Sequence, residues 1–427
     1  MDRAAAVALA AREDRELHIS LFNPYEQRPP FTLHIGLAAL ADYSTEEFDR
    51  EFIEPSRRWA RCIAGCLHVL HEQRLVNLLD ERHRGLDIAL YSTIPTGAGL
   101  SSSAAIQVAT MMNLRDHFNI AAELDPMWLA LLCQRARPHL AAAPRGIAGL
   151  VTSCAGLSGS LVKLLCQPHE LQGLLQVPES IRIIGIDTGV RARAHDSQYD
   201  RTRCAAFMGH AMILAKMHEM GRAAGLRLVA DPTRGYLANL PLDDYKQYFR
   251  QFLPESIRGG AFLAGFGPTT DPATRVEPDI DYPVQSAIDH HVHEPSRVRN
   301  FVQFLEQAAA LRAHSPARSA TLDKAGHLMY ASHISYTRDA LLGAPEADLL
   351  VDLVRKNEHL GLYGAKITGR GQGGTVAVLA NTGEKTDAAI LEIVAEYQRQ
   401  TGKTAEVFWA SGPGAWEMGT RVVSLDG

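Results

Sequence analysis

Apolar and polar side chains alternate along residues 86–91 (Leu-Asp-Ile-Ala-Leu-Tyr), which predicts a strand with one buried face. After a loop of glycine and serine, residues 104–118 are rich in Ala, Val, Met and Leu, which are mostly good helix formers. Residues 57–80 carry apolar side chains at helical spacing. Residues 4–11 are apolar but flanked closely by charges, which favours a first strand or helix over a signal peptide.

The same patterns organise the rest of the chain. They predict helices at 127–137, 200–220, 300–313, 320–335, 349–357 and 387–399, and strands at 181–186, 375–380, 405–410 and 420–424. Residues 232–298 are rich in proline, glycine and aromatic residues, and we expect a long irregular excursion with short helices there. The order of elements near the C-terminus resembles a ferredoxin-like α+β half.

Composition narrows the class of protein. The chain has 427 residues, of which 46% are hydrophobic and 21% charged, as is ordinary for a soluble globular protein of two or three domains. A net charge of −5 provides no basic field and argues against a nucleic-acid partner. No apolar run is long enough for a membrane helix. The scattered cysteines read as buried free thiols, so we expect a cytoplasmic protein.

The glycine-serine loop at residues 94–105 is the first candidate for chemistry. It lies between the predicted strand and helix, so its backbone N–H groups and the positive end of the helix dipole suit a phosphate. No lysine follows the glycines, so the loop is not of the Walker type. An ordinary strand-to-helix turn with serine caps explains the same residues, and the loop alone does not decide between the two.

A second glycine motif makes the pattern more specific. Residues 95–104 read P-x-G-x-G-L-S-S-S-A and residues 366–375 read K-I-T-G-x-G-x-G-G-T. Together they resemble the GHMP kinases. That resemblance implies an α+β fold of two domains, a ribosomal S5-like N-terminal domain over residues 1–198 and a ferredoxin-like C-terminal domain over residues 199–427.

Further segments resemble the L-arabinokinase and galactokinase branch of that superfamily. They are residues 101–111, 166–168, 185–191, 207–209, 236–241, 253–256 and 328–333. The resemblance implies that the γ-phosphate of ATP is transferred to a hydroxyl of a sugar or a related small molecule. The anomeric hydroxyl is the first expectation.

The resemblance also implies site residues. The nucleotide-binding set is Pro95, Gly97, Gly99, Leu100, Ser101, Ser102, Ser103, Gly369, Gly371, Gly373 and Gly374. Ser103, with Ser102 beside it, matches the hydroxyl that reaches Mg²⁺, a hard cation that accepts oxygen ligands. Asp187, Arg191 and Tyr199 are the expected substrate-binding residues. The alternatives are a half-buried aromatic ring for Tyr199 and a solvated loop for the arginine.

Three departures from the family pattern bear on catalysis. Arg137 stands where the family has a Mg²⁺-binding glutamate, and Gly149, followed by Leu150, stands where it has the catalytic aspartate. An arginine at that place opposes a metal ion, although it could bind a phosphate directly. The family's N-terminal sugar loop is absent, so we expect its residues to be missing or the natural start to lie upstream.

These departures leave three hypotheses. The first is an ATP-dependent sugar kinase, the second a pseudokinase that binds a nucleotide or sugar as a sensor or partner protein, and the third a repurposed enzyme on the same fold. The run Asp289–Glu294 contains three histidines, of which His291 and His293 would share a face in an extended segment and could bind a metal. A structural role for this run is the favoured reading.

Overall fold

A computed structural model describes residues 1–22, 30–136, 146–191, 197–226 and 230–424. The chain divides into two compact units. Unit 1 comprises Met1–Thr96, Leu100–Gln176 and Ala410–Gly427, and unit 2 comprises Gly97–Gly99 and Val177–Trp409. The glycine-serine loop is therefore shared: its glycines cluster with unit 2, whereas Leu100 and the serines cluster with unit 1.

A mixed sheet of four strands forms the centre of unit 1. Its strands are β1 (Ala5–Ala11), β2 (Glu16–Phe22), β3 (Phe31–Gly36) and β4 (Leu86–Ser92), in the order β1-β4-β2-β3. Strand β4 runs antiparallel to β1 and parallel to β2. Its alternate leucines and isoleucine are buried beside those of β2, which confirms the alternation predicted for residues 86–91.

Helices cover one face of this sheet. They are α1 (Leu37–Asp42), α2 (Thr45–Glu51), α3 (Pro55–Arg58), α4 (Arg61–Glu72), α5 (Ser102–His117), α6 (Pro126–Arg135) and α7 (Ala148–Ala155). Helix α5 confirms the helix predicted after the glycine-serine loop, and its buried residues join the core formed with α4, α6 and α7. A hairpin of β5 (Ser160–Cys166) and β6 (His169–Gln176) follows α7.

An antiparallel sheet of four strands forms the centre of unit 2. Its strands are β7 (Ile181–Asp187), β10 (Leu362–Ile367), β11 (Thr375–Asn381) and β12 (Glu406–Phe408), in the order β10-β11-β7-β12. The short strands β8 (Ile257–Arg258) and β9 (Asp281–Tyr282) form a separate pair. Because β10 and β11 are neighbours joined by the second glycine motif, that motif lies at one end of the central sheet.

Helices of widely different length make up most of the rest of unit 2. They are α8 (Ser197–Ala223), α9 (Leu242–Asp244), α10 (Gly259–Phe266), α11 (Val284–Ala310), α12 (Pro316–Arg338), α13 (Pro345–Lys356) and α14 (Glu384–Thr401), and α15 (Ala415–Met418) returns to unit 1. Three predictions were wrong in extent or type. Helix α11 begins at Val284, inside the predicted irregular segment; residues 289–294 are helical rather than extended; and residues 420–424 form no strand.

Helix α12 and strand β10 approach each other without a side chain between them. A Cβ added at Gly326 would overlap the backbone oxygen of Tyr363, and one added at Gly364 would overlap the backbone of Gly326. Both positions therefore require glycine, and the strand that leads into the second glycine motif rests directly on a helix backbone.

All six cysteines are free thiols, four of them buried, which agrees with the sequence prediction. No helix in the described parts of the chain combines the length and the apolar character that crossing a membrane requires.

Candidate functional site

The first glycine loop repeatedly uses the left-handed region of the backbone. The φ angles of Gly97 and Gly99 are both +74°, and that of Ser101 is +58°. Glycine adopts this region readily, whereas a serine there is strained. Pro95 and Gly97 thus begin a compact loop that turns from β4 towards α5.

The second glycine motif has the same character. Gly369, Gly371, Gly373 and Gly374 have φ angles of +65°, +78°, +114° and +79°, respectively. Hydrogen bonds hold this loop from behind: Gly374 donates to Val190 O and Thr188 donates to Gly374 O, each over 2.9 Å. The loop is therefore fixed by strand β7 and the turn that follows it.

The two glycine segments meet within unit 2. A Cβ added at Gly369 would lie 2.8 Å from Gly99 Cα, and one added at Gly374 would lie 2.8 Å from Ala98 O. The hydroxyl of Thr375 donates to Ala98 O over 2.8 Å. Backbone contact of this kind needs residues without side chains, which explains why glycine occupies these positions of the two motifs.

Asp187 and Arg191 form an ion pair at the edge of this loop. Asp187 is 2% exposed, and its Oδ1 accepts hydrogen bonds from the Arg191 guanidinium at 2.7 Å and from Gly189 N–H at 3.0 Å. The stem of Arg191 covers Gly97, since a Cβ added there would lie 3.3 Å from Arg191 Cδ. The aspartate therefore serves to hold the arginine against the loop.

Tyr199 has a partner that the sequence did not indicate. The guanidinium of Arg370, inside the second glycine motif, lies 4.3 Å from the centroid of the tyrosine ring. Asp200 lies 3.9 Å from the same guanidinium. One face of the ring is thus occupied by a cation, and the sugar contact expected for Tyr199 stays a prediction.

The serines lie at the start of helix α5 in unit 1. Ser102 is its first residue and Ser103 its second, and both are half-buried. Ser101 precedes the helix, and its backbone oxygen accepts the N–H groups of Ala104 and Ala105 over 2.8 and 3.1 Å. Its side chain makes no capping hydrogen bond, so it satisfies none of the first-turn N–H groups that a helix leaves without an intrahelical partner.

Gly149, near the start of α7, abuts Ser101. A Cβ added at Gly149 would overlap the Ser101 hydroxyl oxygen and lie 2.9 Å from Ser101 Cβ. Leu150, the next residue, is fully buried in the core of unit 1. Residue 149 thus supplies no carboxylate, and the space where its side chain would start is filled. Arg137 lies outside the described residues.

Two histidines of the run contact the backbone of their own helix. His291 and His293 each direct Nδ1 at a backbone oxygen one turn earlier in α11, at 2.7 Å. Burial, with His291 beside it, lowers the pKa of His290 to about 3. Among the described residues there is no cluster of three or more His, Cys, Asp or Glu side chains suited to a metal ion.

Sequence reasoning missed a polar cluster that joins this run to the second glycine motif. Lys366 Nζ lies 2.7 Å from Ser332 Oγ and 3.3 Å from Glu294 Oε1. Burial opposes ionisation of Glu294, but Lys366, with Ser332 and Arg297 as donors, outweighs it and lowers the pKa of Glu294 to about 2. No pattern in the sequence indicated this cluster, because Glu294, Ser332 and Lys366 lie far apart in the chain.

Comparison with known proteins identifies the family. Residues 62–156 match the family described as GHMP kinases N terminal domain. Over 389 residues, which are 86% of the chain, the sequence is 31% identical to the L-arabinokinase of Arabidopsis thaliana. The chain belongs to the GHMP kinase superfamily. This confirms the resemblance drawn from the two glycine motifs.

Other members of the superfamily agree with this identification. The chain is 26% identical to a galactokinase of Chloroflexus aggregans over 410 residues, and this match covers 95% of the chain and 83% of that protein. A crystal structure of Lactococcus lactis galactokinase complexed with galactose has the same fold, with a TM-score of 0.66, 19% identity and coverage of 97% of this chain and 87% of that one. The predicted α+β fold is thereby confirmed. The chain spans 36% of the length of the plant L-arabinokinase.

Proposed function

We propose that this chain is an ATP-dependent phosphotransferase that phosphorylates a hydroxyl of a sugar or a related small molecule. The observation that carries the proposal is the meeting of Gly97–Gly99 with Gly369 and Gly374, where a Cβ added at either of the latter two would lie 2.8 Å from the backbone of the first segment. Left-handed glycines direct successive backbone N–H groups outward, and such loops bind phosphate oxygens. The names of the similar proteins, L-arabinokinase and galactokinase, support a sugar as the acceptor.

The residues present fit a triphosphate better than they fit a metal ion. Gly97–Gly99 and the second glycine motif, both in unit 2, would hold the phosphates through backbone N–H groups. The Ser103 hydroxyl is the candidate ligand for Mg²⁺, which neutralises phosphate charge when it is bound. Because the described residues provide no carboxylate cluster, the phosphate oxygens would have to supply most of the ligands of the ion.

Gly149 determines how fast we expect phosphoryl transfer to be. General-base assistance contributes about a hundredfold to ten-thousandfold, whereas phosphoryl transfer depends mainly on position and charge neutralisation. Without a carboxylate at residue 149, transfer is expected to be slow rather than absent. The same observation favours a second candidate function, a pseudokinase that binds the nucleotide and acts as a sensor or partner protein.

Calorimetry with ATP, with and without Mg²⁺, followed by mass spectrometry of a panel that includes arabinose and galactose, tests the proposal. Binding with transfer supports the kinase, and binding without transfer to any sugar supports the pseudokinase. Absence of ATP binding would refute both.

Two alanine variants locate the site. Gly369 and Gly402 have almost the same φ, +65° and +68°, but an added Cβ meets the first loop at Gly369 and nothing within 4 Å at Gly402. Both variants carry nearly the same backbone strain, so they differ in the steric contact that the added Cβ makes at residue 369. We expect Gly369→Ala to abolish ATP binding and Gly402→Ala to retain it; equal binding by the two would contradict the site.

A further inference from the structure

A cavity of about 760 Å³ lies in unit 2 at the end of the central sheet that is remote from the second glycine motif. It is lined by Tyr363, near the start of β10, and by Asn381, the last residue of β11, whereas the glycine motif joins the other ends of these strands. The 6 residues of β10, at about 3.3 Å each, put about 15–20 Å between the cavity and the motif. The cavity is therefore distinct from the proposed nucleotide site.

The walls of the cavity come from three elements that are distant in the chain. Ser319, Asp323 and His327 form a stripe along α12, because residues four apart lie on the same face of a helix. A 3₁₀ turn at Glu358–Leu360 and the start of α14, at residues 383–386, supply the rest. Polar side chains from separate parts of unit 2 are thus brought around one space.

Hydrogen bonds hold this lining in place. Asn381 N–H donates to Gly361 O over 2.8 Å, and the Thr386 hydroxyl donates to Leu360 O over 3.0 Å, so the 3₁₀ turn is tied to both β11 and α14. The Tyr363 hydroxyl donates to Asn381 Oδ1 over 3.0 Å. This bond orients the amide of Asn381 and leaves its N–H groups for a ligand.

The titratable side chains of the lining are not paired with one another or with the rest of the described structure. They include carboxylates, histidines and a lysine, and none of them forms an ion pair there. Burial and the nearby Glu358 raise the pKa of Asp323, although His327 acts in the opposite direction. Carboxylates from two elements are therefore close enough to repel each other, and both can still accept hydrogen bonds from a ligand.

We propose that this cavity binds a free sugar, at a second site apart from the nucleotide. Carboxylate oxygens only accept hydrogen bonds, and ammonium and amide N–H groups only donate them, whereas each hydroxyl of a sugar does both. A ligand with several hydroxyl groups therefore satisfies Asp323 and Glu358 together with Lys385 and Asn381. The volume lies in the range of about 300–1,000 Å³ that is typical of small-molecule sites.

Other small ligands fit this lining less well. The carboxylates disfavour an anion, and the described side chains do not converge as metal ligands. Lys385 opposes a cation, and the few apolar residues of the lining offer little to a hydrophobic molecule. The inference does not rest on the proposed function, because the cavity lies away from both glycine motifs and binding there requires no phosphate transfer.

Hydrogen–deuterium exchange on the whole chain tests the site with arabinose and galactose as probes. Sugar in the cavity should slow the exchange of amides in residues 358–363 and 381–386, and a titration of this protection gives the affinity. Asp323→Ala should weaken that affinity by about tenfold or more, the loss expected when a hydrogen bond to a charged group is removed. Asp352→Ala is the matched control and should keep the unmodified affinity, because Asp352 is an exposed carboxylate of α13 outside the cavity. Asp323→Asn keeps the shape of the side chain and should bind at an intermediate affinity.

The outcomes separate this site from the proposed function, since the readout is local and needs no ATP. The site is refuted if neither sugar slows exchange in the two segments, or if Asp323→Ala binds as tightly as Asp352→Ala. Protection of these segments by inorganic phosphate, Mg²⁺ or putrescine, but by neither sugar, would overturn the assignment of a sugar as the ligand. A sugar that protects only other segments would refute the cavity and leave the kinase proposal standing.

Discussion

The contact between Ser101 and Gly149 allows a stability cycle to be worked out from the structure. Ser101 is held at φ +58°, a region that costs an ordinary residue about 1–2 kcal/mol, and its side chain makes no cap. Replacing it with glycine relieves that strain at an entropic cost of about 0.5–1 kcal/mol. We therefore expect Ser101→Gly to be neutral or to stabilise unit 1 by up to about 1.5 kcal/mol.

Gly149→Ala should have the opposite effect. Its Cβ would overlap the Ser101 hydroxyl and lie 2.9 Å from Ser101 Cβ. Inserting a methyl group into filled space costs about 1–3 kcal/mol, against a helix-propensity gain of at most about 1 kcal/mol. In the double variant the clash is gone, so the stability should equal or exceed that of the unmodified chain, with a coupling energy of about 1–3 kcal/mol.

Thermal unfolding of the four proteins measures this cycle. A change of 1 kcal/mol shifts Tm by about 2–4 °C for domains of about 150–250 residues, so the coupling is resolvable. Gly146→Ala is the matched control, because an added Cβ there meets nothing within 4 Å. If Gly149→Ala is as stable as the control, or if its effect is the same with and without Ser101, the steric reasoning is refuted. A carboxylate at residue 149 should likewise be accepted only together with Ser101→Gly.

Three further predictions concern unit 2. Thr375→Val removes the hydrogen bond to Ala98 O and leaves that oxygen unsatisfied. Stability should therefore fall by about 1–3 kcal/mol in thermal unfolding, and ATP binding should weaken in calorimetry. Unchanged values would contradict the loop contact. Lys366→Met removes one cation from the half-buried Glu294, which keeps Arg297, and should destabilise by about 1–3 kcal/mol in chemical denaturation, whereas Lys366→Arg should lose less. The folded pKa of Glu294, about 2, and that of His290, about 3, lie below the unfolded values of 4.5 and 6.5, so the unfolded chain binds more protons. Stability should therefore fall as the pH is lowered from about 6.5 towards 3, and His290→Gln should flatten the upper part of a Tm–pH curve; an unchanged curve would contradict the assignment.

Local patterns predicted the elements around the site well. The alternation of residues 86–91 and the helix formers after residue 101 correspond to β4 and α5, because both elements bury one regular face. The second glycine motif was recognisable in the sequence because its backbone adopts positive φ angles, which favour glycine at those positions. The family followed from combining two such local signals.

The errors arose where non-local contacts override local preference. A helix was predicted only at 300–313, because the prolines, glycines and aromatic residues of 232–298 indicated irregular structure. Helix α11 instead begins at Val284, where Val284, Ala287 and Ile288 bury the face that stabilises it. Residues 420–424 contain valines but have no strand to pair with. The pairs Ser101–Gly149 and Tyr199–Arg370 join residues far apart in the chain, and no periodicity could reveal them.

The backbone contact between Gly326 and Gly364 has a consequence for how this protein tolerates change. A side chain between two elements can change rotamer when either element shifts, but at Gly326 and Gly364 helix α12 and strand β10 have no side chain that could do so. Any residue larger than glycine at 326 would therefore push directly on the backbone of the strand that leads to the second glycine motif. Residue 326 is distant in sequence from every phosphate-binding candidate, yet its identity limits where the strand before Gly369 can lie.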